Sequence, residues 1–256
     1  MTVEVQRLRK LLVILGSGHG PWIRALIRGT PAGVEHGSVL NSIDCRTVVD
    51  VGANRGQFAL AARRRWPTAT VISFEPLEGP AAKFRRVFAN DRLVTLHVAA
   101  IGPTAESATM HLSKRDDSSS LLAITALQDE VFPGTKEVGT TRVRVAPLTD
   151  FLSKDAIVGP ALLKIDVQGY ELNVLRGCEP LLPTFFAIYC ECSFLELYAG
   201  QDPAAAVVDW LARRNYVLTG VYNASYDVNG RAVQADFLFE RSLAEPIPPL
   251  SVDVGS

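Results

Sequence analysis

Residues 47–58 read Thr47-Val48-Val49-Asp50-Val51-Gly52-Ala53-Asn54-Arg55-Gly56-Gln57-Phe58. An apolar strand runs into Asp50, Gly52 and Gly56 follow in a short turn, and the pattern becomes helical from Phe58 to Ala62. A strand ending in a glycine turn at a helix start lets a ligand approach the backbone, with the free amides of the helix end aimed at it. A second strand, residues 70–74, ends in Glu75-Pro76, about 25 residues after Asp50. That is near the spacing at which α/β nucleotide sites set a carboxylate on a ribose.

Outward from this segment, strands and helices alternate. Strands are expected at 46–51, 70–74, 93–100, 161–167 and 185–192, and helices at 56–65, 78–89, 170–178 and 203–214. Continuous apolar strands between helices are what a parallel sheet covered on both faces requires. The alternation breaks between 107 and 152. Strands are expected at 107–112 and 141–145, a loop at 116–120, a flexible stretch at 121–140 and a short helix from 147. Residues 216–221 and 235–240 read as an antiparallel pair joined by a turn containing Asn229-Gly230. Helices at 3–15 and 22–27 precede a loop at 29–37. The expected organisation is a helical extension over 1–45, one domain over 46–241 and a proline-rich tail over 242–256. A mostly parallel sheet closed by a terminal antiparallel hairpin, with an N-terminal helical extension, is a class I (Rossmann-like) α/β methyltransferase arrangement. A dehydrogenase usually keeps its last strands parallel.

Composition narrows the function classes. The 256 residues carry a net charge of −1, with 48% hydrophobic and 21% charged residues, so no electrostatic case exists for nucleic acid. The cysteines at 45, 178, 190 and 192 are too scattered for a disulfide framework, and Cys190 and Cys192 read as buried thiols on one strand face. The histidines at 19, 36, 97 and 111 form no ligand motif, and no obligatory metal is expected. The apolar run at 11–15 is short for a signal peptide and no stretch is long enough to span a bilayer, so a cytoplasmic location is expected. The first helix, basic and then apolar, suits peripheral contact with a membrane surface.

At the first turn the informative residues are Asp50, Gly52, Asn54 and Gly56. The dinucleotide fingerprint needs three glycines, and only Gly52 and Gly56 are present. Asp50 would repel a pyrophosphate but suits a cationic or hydroxyl-bearing ligand, an amino acid joined to a nucleoside. That favours S-adenosylmethionine over NAD. Glu75 can accept both ribose hydroxyls; the alternative is a surface glutamate at a strand end. Asp166 falls at the carboxyl end of the fourth parallel strand, beside the topological switch, and Gly169 leads to Glu171 in a helix first turn. Both carboxylates are expected to face the crevice. Asp166 is a candidate general base, the alternatives being a helix N-cap or a cofactor-orienting group. Glu191, ending the strand 185–192, is a second base or acceptor-binding candidate that depends on register. The hydroxyls of Ser118-Ser119-Ser120 suit the cofactor's methionine carboxylate or an acceptor sugar, while Asp116 and Asp117 read as solvated. His97 and His111 read as packed in strands. His36 reaches the site only if the N-terminal segment folds over it.

Four blocks together carry a resemblance: 49–58, Phe74-Glu75-Pro76, Ser118-Ser119-Ser120-Leu121, and 163–177, which begins Leu163-Lys164-Ile165-Asp166-Val167-Gln168-Gly169-Tyr170-Glu171. In this order, within residues 47–193, they resemble the FkbM family of S-adenosylmethionine-dependent methyltransferases. The resemblance implies methylation of a hydroxyl on a sugar, polyketide or related natural product. Together with the strand-end reading, a cofactor is expected to be held by Asp50, Gly52, Asn54, Gly56, Phe58, Glu75, Pro76, Ala100, Ser119 and Asp166, with Asp166 or Glu191 as the catalytic carboxylate that activates the acceptor. Gln168 stands where the family usually has glutamate, which removes a negative charge. The arginine-rich helix after the first turn is similar to enzymes that O-methylate deoxysugars of glycolipids, so the expected partner is a small-molecule or glycolipid sugar. Two other readings stay open: a nicotinamide-dependent dehydrogenase or epimerase, which lacks the third glycine and a Tyr-x-x-x-Lys pair, and a non-catalytic cofactor-binding module, which Gln168 keeps in view.

Overall fold

Two apolar segments, β1 (Thr47–Val51) and β7 (Ala161–Ile165), lie side by side in parallel and are buried along their whole length. Such strands need cover on both faces, and the rest of the chain supplies it. A computed structural model describes residues 3–242. The tail expected at 242–256 therefore lies outside the described residues, apart from Ser242.

Seven strands form the main sheet: β1, β2 (Thr70–Phe74), β3 (Val94–His97), β7, β8 (Ala187–Ser193), β9 (Tyr216–Tyr226) and β10 (Ala232–Arg241), in the order β3-β2-β1-β7-β8-β10-β9. All neighbours are parallel except β10, which runs antiparallel to β8 and β9. The terminal hairpin is present and longer than the sequence pattern implied. This is the class I methyltransferase fold. The chain crosses from the β3 edge back to β7, so the strand order reverses between β1 and β7, where an open α/β sheet opens a crevice.

One face of the sheet packs against α7 (Glu171–Cys178) and α8 (Ala204–Ala212). The other packs against α2 (Gly20–Ile27), α3 (Gly37–Ser42), α4 (Gln57–Arg65) and α5 (Glu78–Val87). The N-terminal residues belong to this second layer: Ile14 of α1 (Val3–Gly16), Trp22 and Leu40 share a core with Val48 and Val71. The Trp22 indole donates to the Leu60 carbonyl at 2.9 Å, and Arg64 lies over its ring at 4.5 Å. A single-turn 3₁₀ segment at Val34–His36 then brings His36 against α4, with Gly33 N donating to Gln57 O.

Two expectations need correction. The strand foreseen at 93–100 is two strands. β3 ends at His97, and β4 (Ala100–Ile101) joins a separate sheet of order β4-β6-β5, with β5 at Glu106–Ser113 and β6 at Glu137–Ala146. An apolar run carries no record of a change of partner. The stretch 121–140, foreseen as flexible, contains α6 (Ala126–Val131) and the start of β6. Leu127, Val131 and Phe132 pack there on Leu197, Tyr198 and Val233. Among the described residues, no helix is long and apolar enough to cross a membrane.

Candidate active site

A cleft of about 900 Å³ opens over the carboxyl ends of β1, β2, β7 and β8 and is walled by the β4-β6-β5 insertion and by residues of the N-terminal segment. Its two ends are built differently.

At the first end, Gly52 has φ +79°, and its amide and that of Ala53 both donate to Phe74 O. A Cβ on Gly52 would lie 1.8 Å from the Asp166 carbonyl. The close approach that requires glycine is therefore made by the chain's own β7 exit, not by a ligand as the sequence reading held. Gly56, at φ +91°, has a similar reason: a Cβ would meet Phe88 at 2.6 Å and Phe84 at 2.9 Å. Asn54, left-handed at φ +47°, donates its backbone N–H to Glu75 Oε2 at 2.9 Å, and Leu77 N donates to Glu75 Oε1 at 2.8 Å. Each Glu75 oxygen keeps a second acceptor position, and the residue lines the cleft. Burial pushes the Glu75 carboxyl up to about 7, against the pull of these two amides.

Asp50 does not reach the cleft. Its carboxylate is fully buried beneath the turn, 3.2 Å from Lys164 Nζ, directly across the β1–β7 register. Lys164 also donates to Gly52 O at 3.1 Å and lies 3.8 Å from Asp166 Oδ2. Burial raises Asp50, with Lys164 opposing. Burial works against the Lys164 charge, but Asp50 and Asp166 outweigh it and hold the ammonium above its ordinary value. Three oxygens, from Asp50, Gly52 and Asp166, surround the ammonium and stabilise its charge. Asp50 thus acts on the site through Lys164, and its expected direct contact with the cofactor is corrected. Gly56, packed under Phe84 and Phe88, likewise stands outside the lining.

At the second end, alternate residues of three strands share one sheet face: Lys164 and then Asp166 beyond β7, Tyr189 and Glu191 on β8, Asp236 and Gln234 on β10. The Gln168 amide, at φ +60°, donates to Asp166 Oδ1 at 2.9 Å and Glu191 Oε2 at 2.8 Å, and its carbonyl accepts from Tyr198 OH at 2.7 Å. Gln234 donates to Glu191 Oε1 at 2.7 Å. Burial, with Asp166 and Asp236 nearby, raises the Glu191 carboxyl well above its usual range. The Asp166 side chain, 38% exposed, faces the cleft.

Glu171 does not face the crevice. It turns back, accepting from Gly169 N at 2.9 Å and Val167 N at 3.3 Å, and burial lifts its carboxyl to about 7. Asp116 is not free in solvent: Arg55 grips it at 2.5 Å, Lys83 stands at 3.5 Å, and its carbonyl accepts from the Asn54 amide, which pins the serine loop to the first turn. Asp117 pairs with Arg115 at the surface. Ser119 lines the cleft; its oxygen accepts from Ser113 N, leaving the hydroxyl proton free to donate. His97 stacks on Phe74 and His111 meets Glu137, both away from the cleft. The cleft brings together Gly52, Asn54, Phe58, Glu75, Pro76, Ala100, Ser119, Asp166 and Glu191 of the expected set. His36 lines the cleft because the N-terminal segment folds over it, the condition on which its place depended, whereas Lys164 and Gln234 are lining residues that the sequence reading did not assign. Of these two, only Lys164 left a signal, a charged residue in an otherwise apolar strand.

The residues suit S-adenosylmethionine. Glu75 offers free acceptor positions for a ribose diol, Ser119 a free donor for a carboxylate, Asp166 an anionic group for a cation, and Ala99, Ala100 and Met110 an apolar wall for a base. Among the described residues, no three His, Cys, Asp or Glu side chains gather in a metal-holding group.

The family model for the methyltransferase FkbM domain matches residues 50–218. The chain is 28% identical to the 2-O-methyltransferase NoeI of Sinorhizobium fredii over 64% of this chain and 70% of that protein. It is 30% identical to Methyltransferase 1 of Beauveria bassiana over 52% of this chain and 58% of that protein, and so spans little more than half of the latter's length. Among solved structures, precorrin-6y C5,15-methyltransferase from Geobacter metallireducens aligns at a TM-score of 0.45 and 13% identity, covering 80% of this chain and 84% of that one. The match over 50–218, most of the sheet and the whole glycine turn, shows that this chain belongs to the FkbM methyltransferase family.

Proposed function

We propose that this protein is an S-adenosylmethionine-dependent O-methyltransferase whose acceptor is a sugar hydroxyl on a glycolipid or related natural product. One observation carries the reading: Glu75 closes β2 beside the glycine turn with both oxygens fixed by backbone amides and both still able to accept. That is a receptor for adjacent hydroxyls, and an adenosine ribose presents such a pair. Ser119 and the turn at Gly52–Asn54 would hold the amino-acid portion, with Phe58 and Pro76 as flanking walls. When bound, the cofactor supplies a methyl group on a sulfonium, a good leaving group that needs no further activation. The protein's remaining tasks are to align the acceptor, exclude water and take one proton.

Asp166 and Glu191 are the acceptor-side carboxylates. Asp166 is open to the cleft and is placed to orient the acceptor hydroxyl. Glu191, its carboxyl raised by burial and each oxygen accepting from an amide of Gln168 or Gln234, would contact the acceptor from the same end. NoeI's name as a 2-O-methyltransferase supports an oxygen acceptor. Leu8, Leu11, Leu12 and Leu15 of α1 form an exposed stripe, while Arg9, Lys10 and Val13 of the same helix wall the cleft. That combination supports an acceptor with an apolar tail at a peripheral membrane surface. No obligatory metal is assigned, and turnover that survives a chelator is the expected result.

Calorimetry with S-adenosylmethionine tests the cofactor site. Wild type binds, and Glu75→Ala loses about 3 kcal/mol, two hydrogen bonds to a charged group, or roughly a hundredfold in affinity. Undiminished binding by the variant removes the ribose assignment. Transfer of labelled methyl to a panel of free sugars and glycolipids tests the acceptor class, and its failure on every hydroxyl while amines are methylated would overturn it.

A further inference from the structure

We propose that His36 is the catalytic base of this cleft, receiving the acceptor hydroxyl's proton on Nε2, with Tyr189 and Asp236 as the residues that position it. The proposal rests on the methyl-transfer reading above and adds the group that completes it.

His36 arrives from the N-terminal segment and forms part of the cleft wall. Its ring is wedged edge-on between Phe58, centroids 5.1 Å apart, and Tyr189, 5.6 Å apart, which fixes its orientation. Nδ1 lies 3.1 Å from Tyr189 OH and 3.6 Å from Asp236 Oδ2. The Tyr189 hydroxyl has one proton and donates it to Asp236 Oδ2 at 2.7 Å, and Asn223 Nδ2 donates to the same carboxylate oxygen at 2.8 Å. With its proton committed, the Tyr189 oxygen can only accept from His36. Nδ1 must therefore carry the ring proton, and Nε2 keeps its lone pair.

Nε2 makes no hydrogen bond to any described residue, and the nearest carboxylate oxygen is Glu35 Oε1 at 4.0 Å, itself paired with Lys10. The groups around the ring are thus Glu35 beside it, Phe58 on α4, Lys164 on β7 and Asp166 just beyond it, Tyr189 on β8 and Asp236 on β10, with Asn223 of β9 donating to both Tyr189 and Asp236. Burial lowers the imidazole below its ordinary value, while Asp236 and Glu35 oppose the shift. The ring is consequently neutral, and able to accept, at neutral pH. Once protonated, it is flanked by two carboxylates that favour the cation. A carboxylate behind one ring nitrogen and a free lone pair on the other is the arrangement a general base needs.

In the transfer step the hydroxyl O–H bond breaks and its proton passes to Nε2. The oxygen lone pair forms the bond to the methyl carbon, and the carbon–sulfur bonding pair stays on sulfur. Asp166, open to the cleft and hydrogen-bonded to Gln168, orients the hydroxyl rather than removing its proton.

The test compares wild type, His36→Asn, Asp166→Asn and Asp236→Asn in three readouts. Nitrogen NMR of the free protein, which has four histidines, should show His36 as the Nδ1–H tautomer titrating below the usual histidine range. Calorimetry should show S-adenosylmethionine affinity within a few-fold of wild type for His36→Asn. Single-turnover transfer of labelled methyl, with whichever hydroxyl acceptor the panel yields, should fall about 10²–10⁴-fold in His36→Asn, and the acid limb of the pH profile should vanish. Asp166→Asn should keep that limb. Asp236→Asn should move it to lower pH, a change that loss of packing alone would not produce. An Nε2–H tautomer, or His36→Asn turnover within threefold of wild type, overturns the assignment. A wild type that binds no S-adenosylmethionine overturns the methyl-transfer reading and this step with it, whereas a wild type that methylates without needing His36 sinks this step alone.

Discussion

The two ends of the cleft hold their carboxylates by different means. Glu75 is gripped by main-chain amides of residues 54 and 77, which no substitution at those positions other than proline removes. Glu191 is gripped by side chains, the amides of Gln168 and Gln234, and His36 is placed by the side chains of Tyr189, Asp236 and Asn223. A backbone-anchored end keeps its chemistry while surrounding side chains vary, and a side-chain-anchored end can be rebuilt one residue at a time. Under the proposed methyl transfer, that division suits a fixed cofactor at the first end and an adjustable acceptor at the second.

Lys164 is where the two ends meet, 3.2 Å from Asp50 under the glycine turn and 3.8 Å from Asp166 at the second end. Replacing it with methionine keeps the volume but leaves the fully buried Asp50 carboxylate without its cation. Breaking one partner of a buried pair costs about 3–5 kcal/mol, so Lys164→Met should lose about that much in urea unfolding at pH 7. A loss below about 1 kcal/mol, the scale of an exposed pair, would mean the ends stand independently and that Asp50 is neutral in the fold.

The same contrast explains what was legible in the sequence. The first end is local: Gly52, Asn54, Glu75 and Pro76 sit within two successive strand exits, so spacing alone placed them in one crevice. Asp50 was misplaced because its direction depends on the partner it meets across the sheet, Lys164, and register is not written in either strand. The second end gathers residues 36, 166, 191, 234 and 236 from four separate elements, and no spacing links them. Asp166 and Glu191 were legible as carboxylates ending strands. His36 was visible only as a histidine in a glycine-bounded loop, with no periodicity to say what it would meet. The helix α6 does leave a mark in the sequence. Thr125 and Gln128 stand at capping-box spacing, and the Thr125 hydroxyl accepts from Gln128 N. Glu171 was misread for a related reason, since a carboxylate in a helix first turn can fold back on the loop amides as readily as face a ligand.

Proton linkage separates the ends further. Glu75, lifted to about 7 by burial, binds hydroxyl donors best when ionised. Cofactor binding should therefore release a proton, and S-adenosylmethionine affinity should fall about tenfold from pH 8 to pH 6. Calorimetry in buffers of different ionisation enthalpy reads both effects, and Glu75→Ala should flatten the profile. An affinity that rises on acidification would assign the dependence to a group outside the first end.

Gln168→Glu probes the second end most gently. The side-chain oxygen facing Tyr198 is retained, but the NH₂ that bridges Asp166 and Glu191 becomes an oxygen facing two carboxylates at 2.9 and 2.8 Å. Three acidic groups at such distances cannot all ionise, so the introduced carboxyl or a neighbour takes up a proton. A carboxyl whose folded pKa is raised above its unfolded value contributes stability that is complete below the unfolded pKa and is lost as pH rises through the folded one. The variant should therefore match wild type in urea unfolding near pH 4.5 and fall short by about 1 kcal/mol at pH 8, the scale of a roughly tenfold change in proton affinity. Its affinity for S-adenosylmethionine should stay unchanged at either pH, because Glu75 and its amide anchors belong to the other end. A stability deficit constant with pH would mean the glutamate swings out of the bridge, and a weakened cofactor affinity would mean the two ends share more than Lys164.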